Sequence, residues 1–298
     1  MQDFRGKVVV VTGAGSGIGR ALARHAATEG MRLVIADVEK TALANVEREL
    51  RDAGAQVIAV RTDVSKASHI RRLAERTLKT YGAVHVLFNN AGVGVGTTAW
   101  EGSGNDWEWV LGVNLWGTVH GVRAFVPIML EQGGECHIVN TASFLGLVTM
   151  PWLGIYSAAK SAVVAYTEAL YYELMHHQPN IKVSLLCPGF TNTKLVEGNR
   201  NRPATLQNRH AVRPPDQTEA AFKALWEQAV LQGTPPEEVA AETFAAIREG
   251  RFYVLTHPDL DNLIETRHQD IRLRRNPTDE ALRNFMLNRG MARDGDEK

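Results

Sequence analysis

Cysteine is nearly absent from this sequence. Cys136 and Cys187 are the only two in 298 residues, and each lies in an apolar run that predicts a β-strand. Buried cysteines behave as small hydrophobic side chains, so we interpret both as core residues rather than as a disulfide or as metal ligands. His120, His137, His176 and His177 also lack a metal-site spacing with cysteines or carboxylates. We therefore expect no bound metal and no disulfide framework.

A net charge is missing as well, and so is a long hydrophobic run. Lys plus Arg and Asp plus Glu number 33 each, which gives a formal net charge of zero. This balance argues against a broad electrostatic surface for nucleic acid or anionic membrane. No apolar run is long enough to span a bilayer, and residues 1–7 do not have the hydrophobic core of a signal peptide. We expect a cytoplasmic protein whose partner is a small-molecule substrate, with no nucleic acid and no membrane.

The sequence does contain a regular alternation of strand and helix signals. Short runs rich in Val and Ile, typical of parallel strands buried on both faces, alternate with segments of helical period. This alternation predicts an α/β fold with a parallel, doubly wound sheet and right-handed crossovers. The predicted strands are residues 7–12, 31–37, 55–60, 84–89, 136–141, 182–186 and 252–255. The predicted helices are residues 18–29, 40–52, a charged segment ending near 81, a region over about 107–132, 154–177 and 235–250.

The regular pattern loosens after Gly189. Residues 191–233 are rich in Asn, Arg, Gln and Pro, with one short helical patch around 222–231. A segment of this length between regular elements is typical of a lid or binding loop. Residues 258–298 are charged and predicted to be helical, with a polar tip at 294–298 that we expect to be disordered. We therefore predict a domain over residues 1–257, which includes a substrate lid at about 191–233, and a C-terminal extension over 258–298.

A glycine-rich turn follows the first predicted strand. Residues 12–19 read TGAGSGIG and lead directly into a predicted helix. Glycines at such a turn let the backbone approach a pyrophosphate, and the N–H groups of the helix start bind its oxygens. The strand–turn–helix–strand context is the one that this motif requires. The turn predicts a dinucleotide site that includes Gly13, Ser16, Gly17, Ile18 and Gly19.

Asp37 ends the second predicted strand, about twenty residues beyond the glycines. A carboxylate at this position accepts hydrogen bonds from the adenosine ribose and repels a 2′-phosphate. Ser16 and Val38 offer no positive charge to attract that phosphate. We therefore expect NAD rather than NADP as the cofactor, while a plain turn residue at the strand end is the alternative.

Tyr156 and Lys160 stand four residues apart in a predicted helix, so they share one face. A lysine ammonium beside a phenol favours the phenolate, and bringing the phenol pKa from about 10 to neutrality needs roughly 4 kcal/mol. A tyrosine so tuned can take a proton from an alcohol or give one to a ketone. Ser143 would hold the same substrate oxygen. The spacing alone is also typical of a solvated lysine beside a packed tyrosine.

Taken together, the motifs resemble those of the short-chain dehydrogenase/reductase family. They occur in this order: TGAGSGIG, Asp63-Val64, NNAG at 89–92, Asn114, Ser143, YSAAK at 156–160 and Pro188-Gly189. The resemblance extends over about residues 5–255. It implies a single Rossmann-type domain with a seven-stranded sheet in the order 3-2-1-4-5-6-7. It also implies hydride transfer between a nicotinamide ring and a carbinol or carbonyl carbon.

The resemblance implies roles for four catalytic residues. Tyr156 would be the general acid/base, and Lys160 would lower its pKa and hydrogen-bond the nicotinamide ribose. Ser143 would orient and polarise the substrate oxygen. Asn114 would hold a helix kink and a water that links the lysine to solvent.

Further positions are implied to hold the adenine and the middle of the cofactor. Asp63 and Val64 would lie at the adenine, the first through its carboxylate and the second through its backbone. Asn90, Ala91 and Gly92 would end the fourth strand where the cofactor crosses it.

The nicotinamide end is implied to lie under a turn after the sixth strand. Pro188, Gly189 and Thr191 would close over the ring, with the threonine reaching the carboxamide. Family members commonly form dimers or tetramers through two long helices, here about 117–132 and 154–177, so we expect a homodimer or homotetramer.

The residues expected to face the substrate are mostly apolar. Leu145 and Trp152 follow the catalytic serine, and Phe190 follows the sixth predicted strand. No arginine clamp for a carboxylate or phosphate accompanies them. Alongside Ser143 and Tyr156, we expect a pocket for a bulky apolar or aromatic secondary alcohol or its ketone.

Two alternatives from other classes share parts of this pattern. A non-catalytic NAD(H)-binding sensor or scaffold has the same fold, but it would be free to lose the serine, tyrosine, lysine or asparagine, and all four are present. A nucleotide-sugar epimerase or dehydratase uses a similar Y-x-x-x-K, but it would need a larger C-terminal domain with basic groups for a second pyrophosphate. The leading interpretation is an NAD-dependent alcohol dehydrogenase, whose physiological direction the sequence does not fix.

Overall fold

Seven parallel β-strands form one sheet at the centre of the protein. They are β1 (Val8–Thr12), β2 (Arg32–Asp37), β3 (Gln56–Arg61), β4 (Val86–Asn89), β5 (Cys136–Thr141), β6 (Ile181–Cys187) and β7 (Tyr253–Leu255). The computed structural model describes residues 1–178, 180–208 and 213–278, and within them the strand order is β3-β2-β1-β4-β5-β6-β7. Every neighbouring pair is parallel. The predicted fold class and strand order are therefore confirmed.

The strands are apolar on both faces, and this determines how the sheet is covered. All five residues of β1 and all six of β5 are buried. Cys136 and Cys187 lie in this buried layer as free thiols, as their apolar surroundings predict. A strand without polar alternation needs a hydrophobic layer on each side. Helices must therefore pack against both faces of the sheet.

Nine α-helices are present in the described part of the chain. They are α1 (Gly17–Thr28), α2 (Lys40–Asp52), α3 (Ala67–Tyr81), α4 (Gly104–Leu111), α5 (Gly117–Gln132), α6 (Gly154–His177), α7 (Gln217–Leu231), α8 (Pro236–Glu249) and α9 (Asp261–Leu273). One hydrophobic cluster joins α1, α2 and α8 to one face of the sheet. A second joins α3, α5 and α6 to the other face. The result is a three-layer α/β arrangement.

The order of the strands places a crevice at the carboxyl ends of β1 and β4. The chain runs outward from β1 through β2 to β3, and then crosses back to β4 on the other side of β1. Ligands of doubly wound sheets bind at such a reversal point. The glycine turn after β1 and the Asn90–Gly92 turn after β4 both lie there.

The helical region predicted over residues 107–132 is not one helix. A π-helical segment, Gly112–Trp116, separates α4 from α5. Such segments widen the helix by one residue and are frequent at functional sites. Asn114 lies inside this segment and is 1 % exposed.

The predicted lid region is more regular than its composition suggests. It contains 3₁₀ segments at Lys194–Asn201 and Ala204–Leu206, followed by α7. Helix α7 begins five residues before the predicted patch, because Asp216 and Glu219 form a capping box at its start. The D-x-x-E pattern of this capping box is present in the sequence, but the prediction relied on the helical pattern alone and therefore placed the start of the helix too late.

The first part of the C-terminal extension packs on the lid region. Leu260 and Leu263 lie in one hydrophobic cluster with Phe222 and Val230 of α7. The division into a domain over residues 1–257 and an extension from 258 remains a prediction, and the polar tip at 294–298 lies outside the described residues. None of the helices within the described residues has the length and apolar character needed to cross a membrane.

Candidate active site

The glycine turn between β1 and α1 packs tightly against the turn after β4. Gly13 adopts a φ of +67°, and a Cβ there would lie 2.7 Å from the Cα of Ala91. A Cβ at Gly19 would overlap the carbonyl oxygen of Gly13. Gly17 also has a positive φ, +51°, at the start of α1. These positions require glycine, because a side chain would push the two turns apart.

Thr12 ties the ends of β1 and β4 together. Its hydroxyl accepts hydrogen bonds from the N–H groups of Asn90 (2.9 Å) and Ala91 (3.2 Å) and donates to the carbonyl of Phe88. The Asn90 amide donates back to the Thr12 carbonyl at 3.0 Å. Gly92 follows, and a Cβ there would lie 3.3 Å from Asn114 Oδ1. The sequence-predicted residues Asn90, Ala91 and Gly92 are thus fixed along the crevice.

Asp37 lies at the end of β2 and faces the glycine turn. The N–H of Gly15 donates to Oδ2 at 2.8 Å, and the N–H of Glu39 donates to Oδ1 at 2.9 Å. Burial raises the pKa of the Asp37 carboxyl above its ordinary value, while these two hydrogen bonds oppose the rise. The carboxylate lines the crevice in a fixed orientation, where it can accept hydrogen bonds from a ligand.

Asp63 and Val64 follow β3 and line the same cavity. Asp63 Oδ1 accepts from both the N–H (3.0 Å) and the hydroxyl (2.7 Å) of Ser65. The Val64 carbonyl contacts Nδ1 of His120 at 3.1 Å, and the Val64 residue is 7 % exposed. The carboxylate therefore stabilises a turn at the strand end, and its predicted role at the adenine stays a prediction.

Ser143, Tyr156 and Lys160 come together at the inner end of this cavity. Ser143 follows β5, whereas Tyr156 and Lys160 lie one turn apart near the start of α6. They are 6 %, 7 % and 3 % exposed. The Ser143 hydroxyl hydrogen-bonds Tyr156. Lys160 Nζ lies 5.7 Å from the centre of the Tyr156 ring and donates to the Thr141 carbonyl at 2.9 Å.

Burial dominates the acid–base properties of this pair. It raises the pKa of Tyr156 to about 12, an effect that the Ser143 hydrogen bond partly opposes. It also lowers the pKa of Lys160 to about 8. The Tyr156 pKa therefore lies above its ordinary value, whereas the sequence led us to expect a value lowered by Lys160. Desolvation disfavours both charged forms, and the ammonium of Lys160 bonds a backbone carbonyl rather than the phenol.

Asn114 joins the π-helical segment to the loop after β4. Its Oδ1 accepts from the N–H of Val93 at 2.9 Å, and its Nδ2 donates to the Val93 carbonyl at 2.9 Å. The Thr118 hydroxyl donates to the Asn114 carbonyl at 3.0 Å. Asn114 thus lies at a break in the helix and fixes the strand-end loop there.

The turn after β6 closes one side of the cavity. Pro188, Gly189, Phe190 and Thr191 all line it. The Phe144 N–H donates to the Pro188 carbonyl at 3.0 Å, and the Thr191 hydroxyl donates to the Gly189 carbonyl at 3.3 Å. The cavity that these residues share with the glycine turn, Ile18, Asp37 and the Tyr–Lys pair has a volume of about 600 Å³.

A second cavity, of about 1090 Å³, opens from the other side of Tyr156. Rings form much of its wall: Trp152 and Phe222 have centroids 4.8 Å apart, and Phe222 and Trp226 stack at 6.2 Å. Trp152 adopts a left-handed φ of +59°, a strained conformation for a bulky residue. The Trp152 carbonyl accepts a hydrogen bond from the N–H of Thr97 at 2.8 Å, which helps to hold this conformation.

Leu145 is not where the sequence led us to expect it. It is 0 % exposed and lines neither of the two cavities. It lies in the 3₁₀ turn Phe144–Gly146, which packs under α6, so its side chain faces the core. The other predicted substrate residues, Ser143, Trp152, Tyr156 and Phe190, each line a cavity.

Arg200, which the sequence analysis missed, brings a positive charge to the nucleotide end of the first cavity. Its guanidinium donates to the Ser16 hydroxyl at 3.2 Å and to Glu39 Oε1 at 2.7 Å. Asn201 donates to the same Glu39 oxygen at 2.9 Å. The expectation from Ser16 and Val38 that no positive charge is present here was therefore incomplete, because Lys66 and Lys194 line the cavity as well as Arg200; the Arg200 guanidinium is paired with Glu39. Arg200 and Ser16 lie 184 positions apart in the sequence, so no local sequence pattern predicts their contact.

A buried ion pair holds the segment that follows. Arg202 and Asp106 of α4 lie 2.7 Å apart, with side chains 3 % and 6 % exposed. The Arg202 guanidinium also lies over the Trp109 ring, 5.2 Å from its centre, and donates to the Leu206 carbonyl at 2.7 Å. The segment between the two cavities is thus anchored to α4 by a desolvated charge pair.

Comparison with known proteins identifies several relatives. A model of the family described as short chain dehydrogenase matches residues 7–204. A CLA biosynthesis dehydrogenase/reductase from Lactiplantibacillus plantarum is 36 % identical over 269 residues, 90 % of this chain and 93 % of that relative. A 1-deoxy-11-beta-hydroxypentalenate dehydrogenase from Streptomyces avermitilis is 32 % identical over 264 residues, 88 % of each chain. A crystal structure of a short-chain dehydrogenase/reductase from Burkholderia phymatum in complex with NAD has a TM-score of 0.90 and 50 % identity, covering 94 % of this chain and 99 % of that one.

Proposed function

The chain belongs to the short-chain dehydrogenase/reductase family and is an oxidoreductase of that type; on this premise we propose that it interconverts a secondary alcohol and its ketone with NAD(H) as coenzyme. We propose further that the substrate is bulky and apolar or aromatic. One observation carries the proposal: Tyr156 lines both cavities, so a proton at its hydroxyl lies between a polar crevice and an aromatic pocket.

The first cavity fits a dinucleotide. It runs from Asp37 past the glycine turn to the catalytic pair, and the buried Thr141 hydroxyl on its wall has no hydrogen-bond partner among the described residues. The N–H groups at the start of α1 would hold the pyrophosphate, and Asp37 would hold the adenosine ribose. Thr191 would hold the carboxamide. When bound, NAD⁺ supplies a hydride acceptor with a positively charged ring.

Charges at the nucleotide end favour NAD over NADP. Asp37 and Glu39 both place carboxylates there. Of the nearby guanidinium groups, that of Arg61 donates to the Val38 carbonyl at 3.2 Å, and that of Arg200 is paired with Glu39. A 2′-phosphate would have to approach two carboxylates and compete for that guanidinium. The NAD complex of the Burkholderia phymatum relative supports this preference.

The chain's own residues would move the proton. In alcohol oxidation the substrate O–H gives its proton to the Tyr156 oxygen, and in ketone reduction Tyr156 returns it. The Ser143 hydroxyl hydrogen-bonds Tyr156 and would also hold the substrate oxygen. Lys160, when charged, would favour the phenolate, since its Nζ lies 5.7 Å from the centre of the Tyr156 ring. Since burial raises the pKa of Tyr156, the phenol holds its proton at neutral pH, and oxidation needs added positive charge or a higher pH.

The second cavity supports a bulky apolar substrate. Its wall combines the rings of Trp152, Phe222 and Trp226 with the aliphatic side chains of Leu195 and Val196. Such a surface excludes water from the reacting oxygen. It also binds substrates more tightly when they bury more apolar area against it. Its charged residues lie in pairs, such as Arg213 with Glu101 at 3.0 Å.

The lid, the assembly and the location of the protein are parts of the same proposal. Residues 191–233 contribute to both cavities, which supports a lid role. Exposed apolar side chains on α5 and α6, such as Leu130, Tyr172 and Met175, support a homodimer or homotetramer through these helices. A cytoplasmic location remains a prediction from the sequence.

A pair of Tyr→Phe variants tests the chemistry. Tyr156→Phe should abolish coenzyme-linked alcohol oxidation while the affinity for NAD, measured by calorimetry, changes little, because only the proton acceptor is lost. Tyr166→Phe, on the same helix but outside both cavities, is the matched control and should keep its activity. Near-normal turnover in Tyr156→Phe would contradict the mechanism. NAD binding without turnover of any alcohol or ketone by the wild type would favour a non-catalytic role.

A further inference from the structure

We propose that His257 is a positioning residue that holds the Gly189–Phe190 turn in its active shape, an inference that rests on the function proposed above. His257 lies two residues beyond β7, where the C-terminal extension begins, and it is 7 % exposed. It belongs to none of the motifs that the sequence analysis identified.

The two nitrogens of the His257 ring contact two backbone groups of the turn, the N–H of Gly189 and the carbonyl of Phe190. The Gly189 N–H donates to Nδ1 at 3.1 Å, and Nε2 lies 2.9 Å from the Phe190 carbonyl oxygen. The hydroxyl of Thr256 lies 2.8 Å from Nδ1, and that of Thr234 lies 3.2 Å from Nε2. The neutral tautomer in which Nδ1 accepts from the Gly189 N–H and the Nε2–H donates to the Phe190 carbonyl fits both contacts to the turn; we assign the ring to it.

The turn is shaped to receive this ring. A Cβ at Gly189 would lie 2.5 Å from Cγ of His257, so the imidazole packs directly on the glycine backbone. The Phe190 carbonyl also accepts from the Thr234 N–H at 2.9 Å. The turn, the segment that leads into α8 and the segment that leaves β7 therefore meet at one buried side chain.

The Gly189–Phe190 turn that His257 holds adjoins both the coenzyme side and the substrate side of the proposed active site. Gly189 and Phe190 line the nucleotide cavity. The Phe190 ring lies 5.5 Å from that of Phe144 and 5.0 Å from that of Trp226, in the aromatic region around the substrate cavity. The Pro188 carbonyl accepts from the residue after the catalytic serine. A shift of this turn would therefore disturb coenzyme and substrate together, without removing a group that transfers the proton.

Two substitutions separate this role from simple packing. His257→Phe keeps a flat ring but has neither the acceptor nor the donor, whereas His257→Gln retains one of each on its amide. His257→Phe should raise the Kd for NAD, measured by calorimetry, about tenfold, which corresponds to about 1.4 kcal/mol. The KM for NAD should rise with it, with a smaller change in kcat. His257→Gln should stay within about threefold of the wild type, because both hydrogen bonds can be re-formed.

Hydrogen exchange gives a readout that needs neither coenzyme nor turnover. In His257→Phe the amide of Gly189 should exchange faster than in the wild type, because its acceptor is gone, and His257→Gln should restore the protection. His137→Phe is the matched control. His137 is another buried histidine, in β5, whose Nε2 contacts the Ser184 hydroxyl at 2.8 Å and which lines neither cavity. This control should lower stability without changing the Kd for NAD or the exchange of Gly189.

The outcomes distinguish this inference from the proposed function. Wild-type Kd and wild-type Gly189 exchange in His257→Phe would overturn the role of His257, as would equal losses in the Phe and Gln variants. Nitrogen-15 NMR of the wild-type ring needs no variant and should show a protonated Nε2 and a bare Nδ1; a proton on Nδ1 would also overturn it. If the wild type binds NAD but turns over no alcohol, the proposed function fails. The hydrogen-exchange and NMR results would still test whether His257 holds the Gly189–Phe190 turn.

Discussion

Replacing Lys160 by methionine should abolish turnover and, at the same time, stabilise the folded protein. Lys160 is 3 % exposed, and its ammonium donates to the Thr141 carbonyl at 2.9 Å. Methionine keeps most of the aliphatic length of lysine and carries no charge to desolvate. Active sites commonly hold groups whose burial costs stability, and Lys160 is such a group here.

The size of the effect follows from the shifted pKa of Lys160. Burial lowers this pKa from 10.5 to about 8. At 1.36 kcal/mol per unit, the folded state is penalised by about 3 kcal/mol at pH 7, where both states are protonated. Losing the hydrogen bond to Thr141 costs about 1 kcal/mol in return. Lys160→Met should therefore gain about 2 kcal/mol at neutral pH.

The sign of the pH dependence provides the stricter test. Between about pH 8 and 10.5 the unfolded chain binds more protons at this lysine than the folded chain does, so wild-type stability rises with pH relative to the variant. The gain of Lys160→Met should be full below pH 8, should shrink as the pH rises, and should change sign before pH 10.5, where only the loss of the hydrogen bond to Thr141 remains.

Urea unfolding at pH 7 and at pH 9.5 measures this difference. Lys182→Met, at an exposed position of β6, is the matched control and should change stability little at either pH. A variant at Lys160 that is less stable than the wild type at pH 7, or a gain that does not depend on pH, would refute the reasoning.

Three further predictions concern the coenzyme end, the segment between the cavities and the proton acceptor. Asp37→Ala should weaken NAD binding by about tenfold or more and lower the NAD/NADP ratio of kcat/KM, because a charged acceptor of ribose hydrogen bonds is lost; an unchanged ratio would mean that the ribose is held elsewhere. Arg202→Met should destabilise the protein by about 3–5 kcal/mol in urea unfolding, because the buried Asp106 carboxylate loses its opposite charge, whereas the double variant with Asp106→Asn, whose amide oxygen can still accept from the Ser103 N–H, should recover much of the loss. Because the pKa of Tyr156 is raised, the rate of alcohol oxidation should increase with pH while ketone reduction does not; a reduction rate that rises in parallel would contradict the assignment of Tyr156.

The features that the sequence predicts well are those encoded in adjacent residues. Runs such as Val8–Thr12 define buried strands by themselves, and the glycine turn and the Tyr156/Lys160 spacing report local geometry. The start of α7 was also encoded locally, in Asp216 and Glu219, and was missed because the periodicity there is weak.

The features that the sequence could not predict depend on distant parts of the chain. Arg200 reaches Ser16 only because the segment after β6 folds back over the glycine turn. Leu145 follows Ser143, the proposed catalytic serine, yet the direction of its side chain is decided by a 3₁₀ turn packed under α6. The raised pKa of Tyr156 reflects burial by several elements, whereas the spacing shows only its neighbour on the helix.

The most direct test of the account is the absorbance of reduced nicotinamide when the protein is incubated with NAD or NADP and a graded series of secondary alcohols. The series should run from small aliphatic to aryl and steroid members, with short-chain hydroxy acids as the charged comparison. We predict a signal that is strongest on the bulky apolar members and is weaker with NADP than with NAD. Preference for the hydroxy acids, or for NADP, would contradict it.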